Sequence, residues 1–517
     1  MATNPGSPDT AFFLGASSAD YCDIVSKPET RGPVLAAMLE EMNKLSLRNL
    51  VLANVPAESH TLRVIGAVAR SHHLHLHQRP ASDCGVIALG DEKQRQTVLQ
   101  YVVRKEREKR GLKKLGKLGP IRITHSSGEQ SEMALRPIFA AQISRFLATN
   151  RLSPYVYQPN RFFVLELGRL LTPAGWLKVS RLEVNGRPVA WNYGFRFCDS
   201  WFYYLVTFQM QFEASSPGSC LLRLLTEEAC ADPSVKRFDL GRGDEAYKER
   251  FANAIASTHY VQLSESMSHH LATVGRYWLV ASARRVPVVT RQLSRTRDFF
   301  GSLQSRINEA GLAATAMEAL GRAKGRVVCE DELVFFEAPQ ITISENESGP
   351  LSPLDWEDLA AAAMNGADDK KTLKYLMRCA QRLRQSRATG LYLRGHGLLP
   401  SYFLWADLYD GFQLSEFNST LESSDSNAVM IFDCWTHAAH PGLGNWATAI
   451  RLAAAYLQKQ QRQVWIFSAV KNESFLRGIL EAGFVYRFSI VRSRRFAYTR
   501  LSHRVRAAPC FDINIKQ

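Results

Sequence analysis

The chain has 517 residues, of which 46% are hydrophobic and 10% aromatic, so packed cores are expected and a fibrous or disordered class is excluded. At about 150 residues per domain, this length predicts roughly two to four domains. The net charge is +15, from 64 Lys and Arg against 49 Asp and Glu. This balance favours anionic partners, such as nucleotide cofactors, membrane surfaces or nucleic acid, although a basic soluble protein without such a partner fits equally well.

The nine cysteines are scattered and form no Cys-x-x-Cys pair. This pattern argues against a disulfide scaffold and a zinc site, and it predicts a reducing compartment. The N-terminus lacks a charged segment followed by an apolar run, so we expect no signal peptide. We also expect no membrane span, because no apolar stretch reaches about 18 uninterrupted residues. The prediction is a cytoplasmic protein, with peripheral binding at the inner membrane surface left open.

The first 119 residues divide into two predicted segments. Residues 1–10 are rich in Pro, Ser and Gly and predict a disordered tail. Residues 11–119 alternate short helical and strand-like pieces and predict an N-terminal lobe. Within this lobe, residues 92–118 predict a helix with a dense basic face. Its buried side would consist of the apolar residues Val98, Leu99, Val102, Leu112 and Leu115.

Four histidines lie close together in this lobe, at positions 72, 73, 75 and 77. In a strand, alternation would put His73, His75 and His77 on one face, where they could bind a metal. No Asp, Glu or Cys lies at a defining metal-ligand spacing from them. We therefore favour a polar strand face and predict no metal site.

Residues 120–265 predict one α/β unit. The segments 177–184 and 187–197 flank Asn185-Gly186, and an Asn-Gly pair between two such runs strongly indicates a β-hairpin. Further along, Ser216-Pro217-Gly218 precedes an apolar helix. Because the N–H groups of a helix N-terminus point outward without partners, this loop is a candidate anion site.

Residues 266–325 predict a basic helical connector between two domains. The connector holds many arginines, namely Arg276, Arg284, Arg285, Arg291, Arg295, Arg297 and Arg306. A membrane surface would suit its basic and aromatic character. We favour a solvated linker face, because runs of charge are usually solvated.

Residues 326–517 predict a second α/β unit. A strand that ends near residue 435 is followed by a loop with Gly442 and Gly444, and the loop opens a helix. Such a loop suits a pyrophosphate, because the helix dipole favours an anion and glycines let the backbone approach it closely. The two halves of the chain share this plan of antiparallel strands, glycine loop, helix and strand, so a duplicated fold is a plausible hypothesis.

The order of these features resembles the acyl-CoA site of the GNAT N-acyltransferase superfamily. In that fold the pantetheine of acyl-CoA lies along the strand before the glycine loop, which here is the segment 428–435. An Asn and a Gly-Phe pair follow in the superfamily, and Asn472 and Gly483-Phe484 stand in those places. The resemblance implies a cofactor-binding set of Cys434, Trp435, His440, Gly442, Leu443, Gly444, Asn445 and Asn472. Ile479 stands where many members have a Tyr that protonates the leaving thiolate.

The first half resembles the GNAT-type domain of the CelD-like group, which is named for cellulose biosynthesis and is related to the FemAB aminoacyltransferases. The resemblance spans residues 12–265 and includes the basic helix 104–118. Because members of the group carry more residues before this point, we expect the chain to begin inside its first lobe. The matching residues are Phe13-Leu14-Gly15, Asp20-Tyr21, Trp176, Leu182, Asn185-Gly186, Ser216-Pro217-Gly218, Phe238-Asp239, Gly241, Gly243 and Tyr247-Lys248.

Asp239, Tyr247 and Lys248 are the predicted catalytic residues. Asp239 ends a strand before two glycines, where its carboxylate could orient an amine or act as a base. Its alternative role is a turn cap on local N–H groups. Tyr247 and Lys248 could donate to a thiolate, a carbonyl or a phosphate, and the alternative for Lys248 is a surface charge. Further predicted cofactor-binding residues are Ser216, Pro217 and Gly218.

These features predict an α/β (α+β) protein of tandem GNAT-like domains, with mixed, mostly antiparallel sheets flanked by helices. The predicted activity is acyl transfer from acetyl-CoA or another acyl-CoA to an amine or hydroxyl of a sugar or polysaccharide precursor. That acceptor class is implied only by the CelD-like resemblance.

Two alternative functions stay open. One is a non-catalytic accessory or regulatory protein of exopolysaccharide or cellulose synthesis, built on degenerate GNAT folds, in keeping with Ile479. The other is a FemAB-like transferase that uses aminoacyl-tRNA. The predicted partners are a small-molecule or glycan acceptor and a membrane surface or polysaccharide-synthesis machinery. Nucleic acid is disfavoured as a partner, because the basic helix lacks interleaved aromatic residues.

Overall fold

The computed structural model describes most of the chain. The chain forms two compact units. The first unit comprises residues 1–131, 168–206 and 212–305, and the second comprises residues 132–167, 207–211 and 306–517. The described residues are 1–4, 6–103, 106–126, 130–243, 246–284, 328–342, 351–394, 400–422, 425–436, 446–495 and 498–504.

A ten-stranded sheet forms the centre of the first unit. Its strands are β1 (Ala2–Asn4), β2 (Ser7–Phe12), β3 (Asn49–Pro56), β4 (His75–Ala88), β5 (Ile121–Ser126), β6 (Leu177–Val184), β7 (Arg187–Phe197), β8 (Ser200–Phe208), β9 (Arg237–Arg242) and β10 (Ala254–Ser264). Their order across the sheet is β1-β2-β3-β10-β4-β9-β8-β7-β6-β5. The pairs β2–β3 and β8–β9 are parallel, and antiparallel pairing predominates elsewhere.

The helices before residue 285 are α1 (Arg31–Lys44), α2 (His60–Ser71), α3 (Glu92–Val98), α4 (Glu106–Gly116), α5 (Gln130–Ala148), α6 (Gln158–Leu171), α7 (Pro217–Ala231), α8 (Ala246–Phe251) and α9 (Met267–Arg284). An apolar core joins α1 and α2 to β3, with Leu35, Leu52 and Ile65 fully buried. Of the predicted connector 266–325, α9 is described and residues 285–325 lie outside the described residues.

Two predictions about the N-terminal residues need correction. The predicted disordered tail 1–10 instead forms β1 and part of β2, because β2 pairs in parallel with β3 through Thr10 and Ala11. The predicted lobe 11–119 and unit 120–265 are also not separate sheets, because β4 from the first segment lies between β9 and β10 from the second.

The predicted basic helix 92–118 is interrupted. A π-helical turn, Leu99–Val103, separates α3 from α4. Val98 and Leu115 are buried as predicted, but Leu99 is 37% exposed. A π-turn holds more residues than an α-helical turn, so it breaks the α-helical spacing from which one continuous buried face is predicted.

The predicted hairpin at Asn185-Gly186 is confirmed. β6 ends at Val184 and β7 begins at Arg187, so the two residues form the whole turn. Both have positive φ, +50° for Asn185 and +74° for Gly186. This is the backbone conformation that Asn and Gly adopt most readily in two-residue hairpins.

An eight-stranded sheet forms the centre of the second unit, in the order β12-β13-β14-β17-β18-β11-β19-β20. A small pair, β15–β16, stands apart from it. The strands are β11 (Val328–Glu337), β12 (Leu351–Pro353), β13 (Thr389–Arg394), β14 (Pro400–Leu408), β15 (Gln413–Leu414), β16 (Ser419–Thr420), β17 (Ala428–Thr436), β18 (Gln463–Ala469), β19 (Val485–Arg495) and β20 (Tyr498–Arg504). The described helices after residue 342 are α10 (Trp356–Asn365), α11 (Lys370–Gln385), α12 (Trp446–Gln458) and α13 (Glu473–Glu481), and most of α5 and of α6 also belongs to this unit.

Two clusters of buried side chains form the core of the second unit. One joins α12 and α13 to the sheet, and Ile450 and Ile479 are fully buried in it. The other is rich in aromatic residues and includes Phe335, Phe412 and Met430. Ile479 is thus a core side chain.

The two units share a local topology. In the first, α7 crosses between the parallel strands β8 and β9, and the earlier strand β4 lies between β9 and β10. In the second, α12 crosses between the parallel strands β17 and β18, and the earlier strand β11 lies between β18 and β19. The predicted fold class of mostly antiparallel sheets flanked by helices is confirmed. None of the described helices combines the length and the apolar character that a bilayer crossing requires.

Candidate active site

The strands β8 and β9 pair over only a short distance. Their parallel register runs from Ser200↔Arg237 to Phe202↔Asp239. Beyond it β8 continues to Phe208 and β9 to Arg242. Two strands that part in this way expose backbone N–H and C=O groups at the gap, where an extended ligand can pair with them.

Helix α7 begins next to this gap. Its N-cap Ser216 has a left-handed backbone, with φ 52° and ψ 52°, and its side chain makes no cap hydrogen bond. Pro217 occupies the first turn, and Tyr203 of β8 donates from Oη to the carbonyl of Gly218 at 3.5 Å. The predicted loop at Ser216–Gly218 therefore does open a helix. Its binding of an anion stays a prediction.

The basic helix α4 packs against the residues just before α7. A Cβ at Gly111 would lie 2.5 Å from the Ser215 carbonyl oxygen and 2.6 Å from Cys220 Sγ, so only glycine fits this approach. Lys114 Nζ donates to the Ala214 carbonyl at 3.3 Å. The exposed lysines of α4 are thereby held beside the α7 N-terminus.

Asp239 is fully buried, and both of its carboxylate oxygens accept hydrogen bonds. Oδ1 accepts from the backbone N–H of Gly241 at 2.8 Å. Oδ2 accepts from Tyr21 Oη at 2.8 Å and from Arg237 Nη2 at 2.6 Å. The contact with Gly241 is the turn cap that the sequence offered as the alternative role. The contacts with Tyr21 and Arg237 add a positioning function that spacing in the chain does not show.

Tyr21 connects Asp239 to the rest of the cluster. Burial, together with the Asp239 charge, raises the pKa of Tyr21 far above its usual range, so its hydroxyl stays protonated and donates. Cys84 of β4 is fully buried beside it, and burial raises the pKa of this thiol to about 11. Neither group carries a negative charge near neutral pH.

Asp20 is a carboxylate of a different kind, because it is partly exposed, with 22% of its side chain accessible. Burial raises the pKa of Asp20, while Arg242 opposes the shift through its charge and its backbone N–H. Arg242 Nε lies 3.4 Å from Asp20 Oδ1. A carboxylate with a raised pKa that still reaches solvent is suited to accept a proton from a substrate.

Gly241 makes room for Asp20. A Cβ at Gly241 would lie 2.5 Å from Asp20 Oδ2, and its φ of +70° is left-handed. The loop that carries Asp20 is held by Asn54, whose Nδ2 donates to the carbonyls of Ala16 and Ala19 at 3.0 and 2.9 Å. Asn54 Oδ1 in turn accepts from Arg242 Nη1 at 2.8 Å.

Lys248 is 7% exposed, so the alternative of a surface charge is wrong. Its ammonium donates to the carbonyl of Arg242 and, at 3.4 Å, to that of Gly241. It therefore fixes the end of β9 where Asp239 and Arg242 stand. Tyr247 lies in α8, and its side chain lies outside the described residues.

The cofactor-binding residues predicted for the second unit are described only in part. The β17–β18 register ends at Ile431↔Ile466, and Cys434 and Trp435 lie on β17 beyond it. Their binding of a pantetheine stays a prediction. Asn472 is the exposed N-cap of α13. The predicted residues His440, Gly442, Leu443, Gly444 and Asn445 lie outside the described residues.

The predicted strand face of His73, His75 and His77 needs correction, because β4 begins at His75 and His73 lies in the preceding turn with a φ of +53°. The His75 and His77 rings lie 5.7 and 6.3 Å from the ring of His270 of α9. Among the described residues, no group of His, Cys, Asp and Glu is arranged to hold a metal ion.

Sequence reasoning did not select Asp20, Arg237 and Arg242 as site residues. The sequence carries only a weak signal for this cluster of polar side chains, because Tyr21 and Asp239 are 218 residues apart in the chain. Asp20-Tyr21 is part of the family resemblance but is not among the predicted site residues. The alternation of residues within β9 does not indicate that a loop covers the end of this strand.

Comparison with known proteins finds a similarity for part of this region. A family model for an acetyltransferase (GNAT) domain matches residues 103–249. A search of curated proteins finds no match.

Solved structures show only weak similarity. The crystal structure of FemX is 8% identical and covers 48% of this chain and 79% of its own, with a TM-score of 0.35. The C-terminal domain of a protein named as a lysylphosphatidylglycerol synthetase from Agrobacterium fabrum is 11% identical, covers 47% and 75%, and has a TM-score of 0.33. A GNAT-family acetyltransferase from Colwellia psychrerythraea is 12% identical, covers 72% and 98%, and has a TM-score of 0.25.

The similarity to a known family is confined to residues 103–249. This segment contains α4, the β8–α7–β9 crossover and Asp239. Residues 103–249 of this chain are therefore similar to an acetyltransferase (GNAT) domain.

Proposed function

We propose that the first unit transfers an acyl group from an acyl-CoA to an amine or hydroxyl of a small-molecule or glycan acceptor. The observation that carries the proposal is the parting of β8 and β9, with a buried polar cluster at the end of β9. The family match to residues 103–249 supports acyl transfer as the reaction class. A sugar or polysaccharide precursor as the acceptor is supported only by the CelD-like resemblance.

The residues present fit an acyl-CoA. The last residues of β8, beyond its register with β9, would offer backbone groups to a pantetheine, and the α7 N-terminus with the α4 lysines would offer positive charge to phosphates. When bound, the acyl-CoA supplies an acyl group activated as a thioester. Acetyl-CoA is the simplest donor of this class.

Asp20 is the proposed general base. Its partly exposed carboxylate would take the proton of the acceptor amine or hydroxyl at Oδ1 or Oδ2 as the nucleophile attacks the thioester carbonyl. Arg242 holds this carboxylate in place from 3.4 Å. The nucleophile would then replace the thiolate on the acyl carbon, and the thiolate would take up a proton.

Asp239 and Lys248 are proposed to act by positioning other groups of the site. Asp239 fixes Tyr21, the neighbour of Asp20, and Lys248 fixes the carbonyls that end β9. Asp239→Asn and Lys248→Ala should each lower turnover through misplacement of Asp20. Tyr247 remains the candidate proton donor to the thiolate.

The test is binding and turnover with the full chain, because each unit is assembled from separate chain segments. We expect acetyl-CoA or a longer acyl-CoA to bind in calorimetry, and replacement of Lys113, Lys114 and Lys117 by Gln to raise its Kd about tenfold or more through lost phosphate contacts. Lys44→Gln, an exposed change on α1, is the matched control. Absence of binding by every acyl-CoA tried would remove the proposal.

The second unit is proposed to be a GNAT-like domain without its own acid catalyst. Its β17–α12–β18 crossover repeats that of the first unit, and Ile479 is fully buried in its core. A buried Ile at the position of a proton-donating Tyr is consistent with a binding or regulatory role for this unit. Transfer from aminoacyl-tRNA in place of acyl-CoA would instead favour the FemAB-like alternative.

We propose that α9 brings the protein to an anionic membrane surface. Three large apolar side chains on this helix are exposed, Leu271 at 60%, Trp278 at 59% and Leu279 at 74%. The helix contains Arg276 and Arg284 and no Asp or Glu. Exposed apolar residues with basic neighbours suit the boundary of anionic lipid.

Vesicle sedimentation tests this location. The double change Trp278→Glu and Leu279→Glu should weaken binding to phosphatidylglycerol-containing vesicles about tenfold or more, since it removes apolar contact and adds repulsion. Leu170→Glu, at another exposed leucine (66%), should leave binding unchanged. Equal binding by the double variant and the unmodified protein would exclude α9 as the contact.

A further inference from the structure

The second unit contains a cavity of about 540 Å³ with an aromatic floor. This volume lies in the usual range of small-molecule sites. Phe432 of β17 and Phe467 of β18 line it directly beyond the last paired residues of these strands. The Phe412 ring lies 5.1 Å from that of Phe432 and 6.0 Å from that of Phe467. The floor thus offers aromatic surface to an apolar group.

Two of the arginines that line the cavity are already neutralised. Arg382 Nη1 lies 2.5 Å from Asp433 Oδ2. Arg387 Nε lies 3.3 Å from Asp407 Oδ2, and Arg387 Nη2 donates to the Gly411 carbonyl at 3.0 Å. These two ion pairs hold Arg382 and Arg387 in place at the edge of the cavity, and each pair is neutral overall.

Arg378 and Glu416 are the other charged residues of the lining. Arg378 lies on α11, with its guanidinium 5.4 Å from the centre of the Tyr375 ring. Glu416 follows β15, and its carboxylate accepts from Ser415 Oγ at 3.1 Å. Over the described part of the chain, neither side chain has an ion-pair partner within 4 Å. The cavity therefore presents one available cation and one available anion.

We propose that this cavity binds a zwitterionic small molecule with an apolar body. Its carboxylate would pair with Arg378, its ammonium with Glu416, and its body would pack on the floor formed by Phe412, Phe432 and Phe467. Apolar amino acids and short peptides belong to this chemical class. The site lies in the second unit and is independent of the acyl transfer proposed for the first.

Charge balance argues against the main competing ligand. The lining holds three arginines and three carboxylates, at Asp407, Glu416 and Asp433. A nucleotide would bring two or more negative charges into a site with one available cation and a free carboxylate, which repels phosphate. A neutral ligand with separated charges satisfies both open groups.

Calorimetry on the full chain tests this proposal with four probes. These are phenylalanine, the dipeptide phenylalanyl-phenylalanine, 3-phenylpropionate without the amine, and phenylalaninamide without the carboxylate. We expect one of the two zwitterions to bind at least tenfold more tightly than both single-charge probes, since each charged contact contributes separately. Failure of both zwitterions to bind, or equal affinity for 3-phenylpropionate, would overturn the proposal.

Two variants assign the charges. Arg378→Gln should weaken the zwitterion about tenfold or more and leave phenylalaninamide unchanged, whereas Glu416→Gln should weaken it and leave 3-phenylpropionate unchanged. Both residues are exposed, so the variants should fold. Lys374→Gln, one turn before Arg378 on α11 and outside the cavity, is the matched control. If both variants bind the zwitterion as the unmodified protein does, this assignment is wrong.

Discussion

Replacement of Asp20 by Asn should lower kcat of acyl transfer by roughly 10²- to 10⁴-fold, the usual contribution of a general base. The change keeps the size of the side chain and removes its ability to take a proton. The fold should persist, because Asn54, which holds the Asp20 loop, keeps its contacts with Ala16 and Ala19. The measurement is single-turnover transfer at saturating acyl-CoA, with calorimetry to show that acyl-CoA still binds.

The pH profile separates a base from a structural residue. Burial raises the pKa of Asp20 above its usual range, so the active carboxylate form is lost as pH falls through this raised pKa. Activity should therefore decline on the acidic side in the unmodified protein, and the limb that belongs to Asp20 should be absent from the residual activity of Asp20→Asn.

Asp199→Asn provides the matched control. Asp199 lies in the exposed turn between β7 and β8, and its carboxylate accepts from Ser200 Oγ at 3.2 Å. The same substitution there should leave kcat and the pH profile unchanged. If the kcat of Asp20→Asn stays within about threefold of the unmodified value, the loss of activity is far smaller than removal of a general base predicts. Asp20 would then not be the base.

Local patterns in the sequence predicted the elements that local interactions decide. The hairpin at Asn185-Gly186 follows from the backbone preferences of those two residues. The start of α7 follows from Pro217 and the apolar run behind it. The fold class follows from the alternation of strands and helices.

The other features of the fold and of the candidate site depend on contacts between residues that are distant in the chain. The tail 1–10 has the composition of a loop, yet β2 is ordered because β3 offers it a parallel edge. The sequence predicted Asp239 to end a strand, but β9 continues to Arg242, and the partner Tyr21 comes from a loop 218 residues away. No periodicity or spacing encodes such a pair, so Asp20 and Arg242 were not selected as site residues.

The position of α7 depends on a single buried arginine of α3. Arg95 is 7% exposed, and its two terminal nitrogens donate to five backbone carbonyls at the end of α7 and in the loop to β9. The acceptors and distances are Ala229 (3.2 Å), Cys230 (3.0 Å), Asp232 (2.9 Å), Pro233 (3.3 Å) and Val235 (2.6 Å). These carbonyls are the ones that a helix C-terminus leaves without partners of its own. Arg95 therefore joins α7 to the strand that carries Asp239.

Arg95→Met should destabilise the first unit by roughly 3 to 5 kcal/mol, because several buried carbonyls lose charged donors while the apolar stem is kept. Hydrogen exchange of the α7 amides, followed by mass spectrometry, measures this loss locally. Their protection should fall by about 100-fold or more, at 1.4 kcal/mol for each factor of ten. Protection of the amides in α12 of the second unit serves as an internal reference.

Two further variants keep this prediction testable if Arg95→Met does not fold. Arg95→Lys retains the charge but has one donor nitrogen in place of the planar fork, so it should fold with an intermediate loss of protection. Lys93→Met, an exposed change on the same helix, should leave α7 protection unchanged. If Arg95→Lys protects α7 as fully as arginine does, the bond network to the five carbonyls is not what holds the helix. If it lowers protection in α7 and β9 together, the contacts of Arg95 couple the helix beside the proposed phosphate site to the strand of the proposed catalytic cluster.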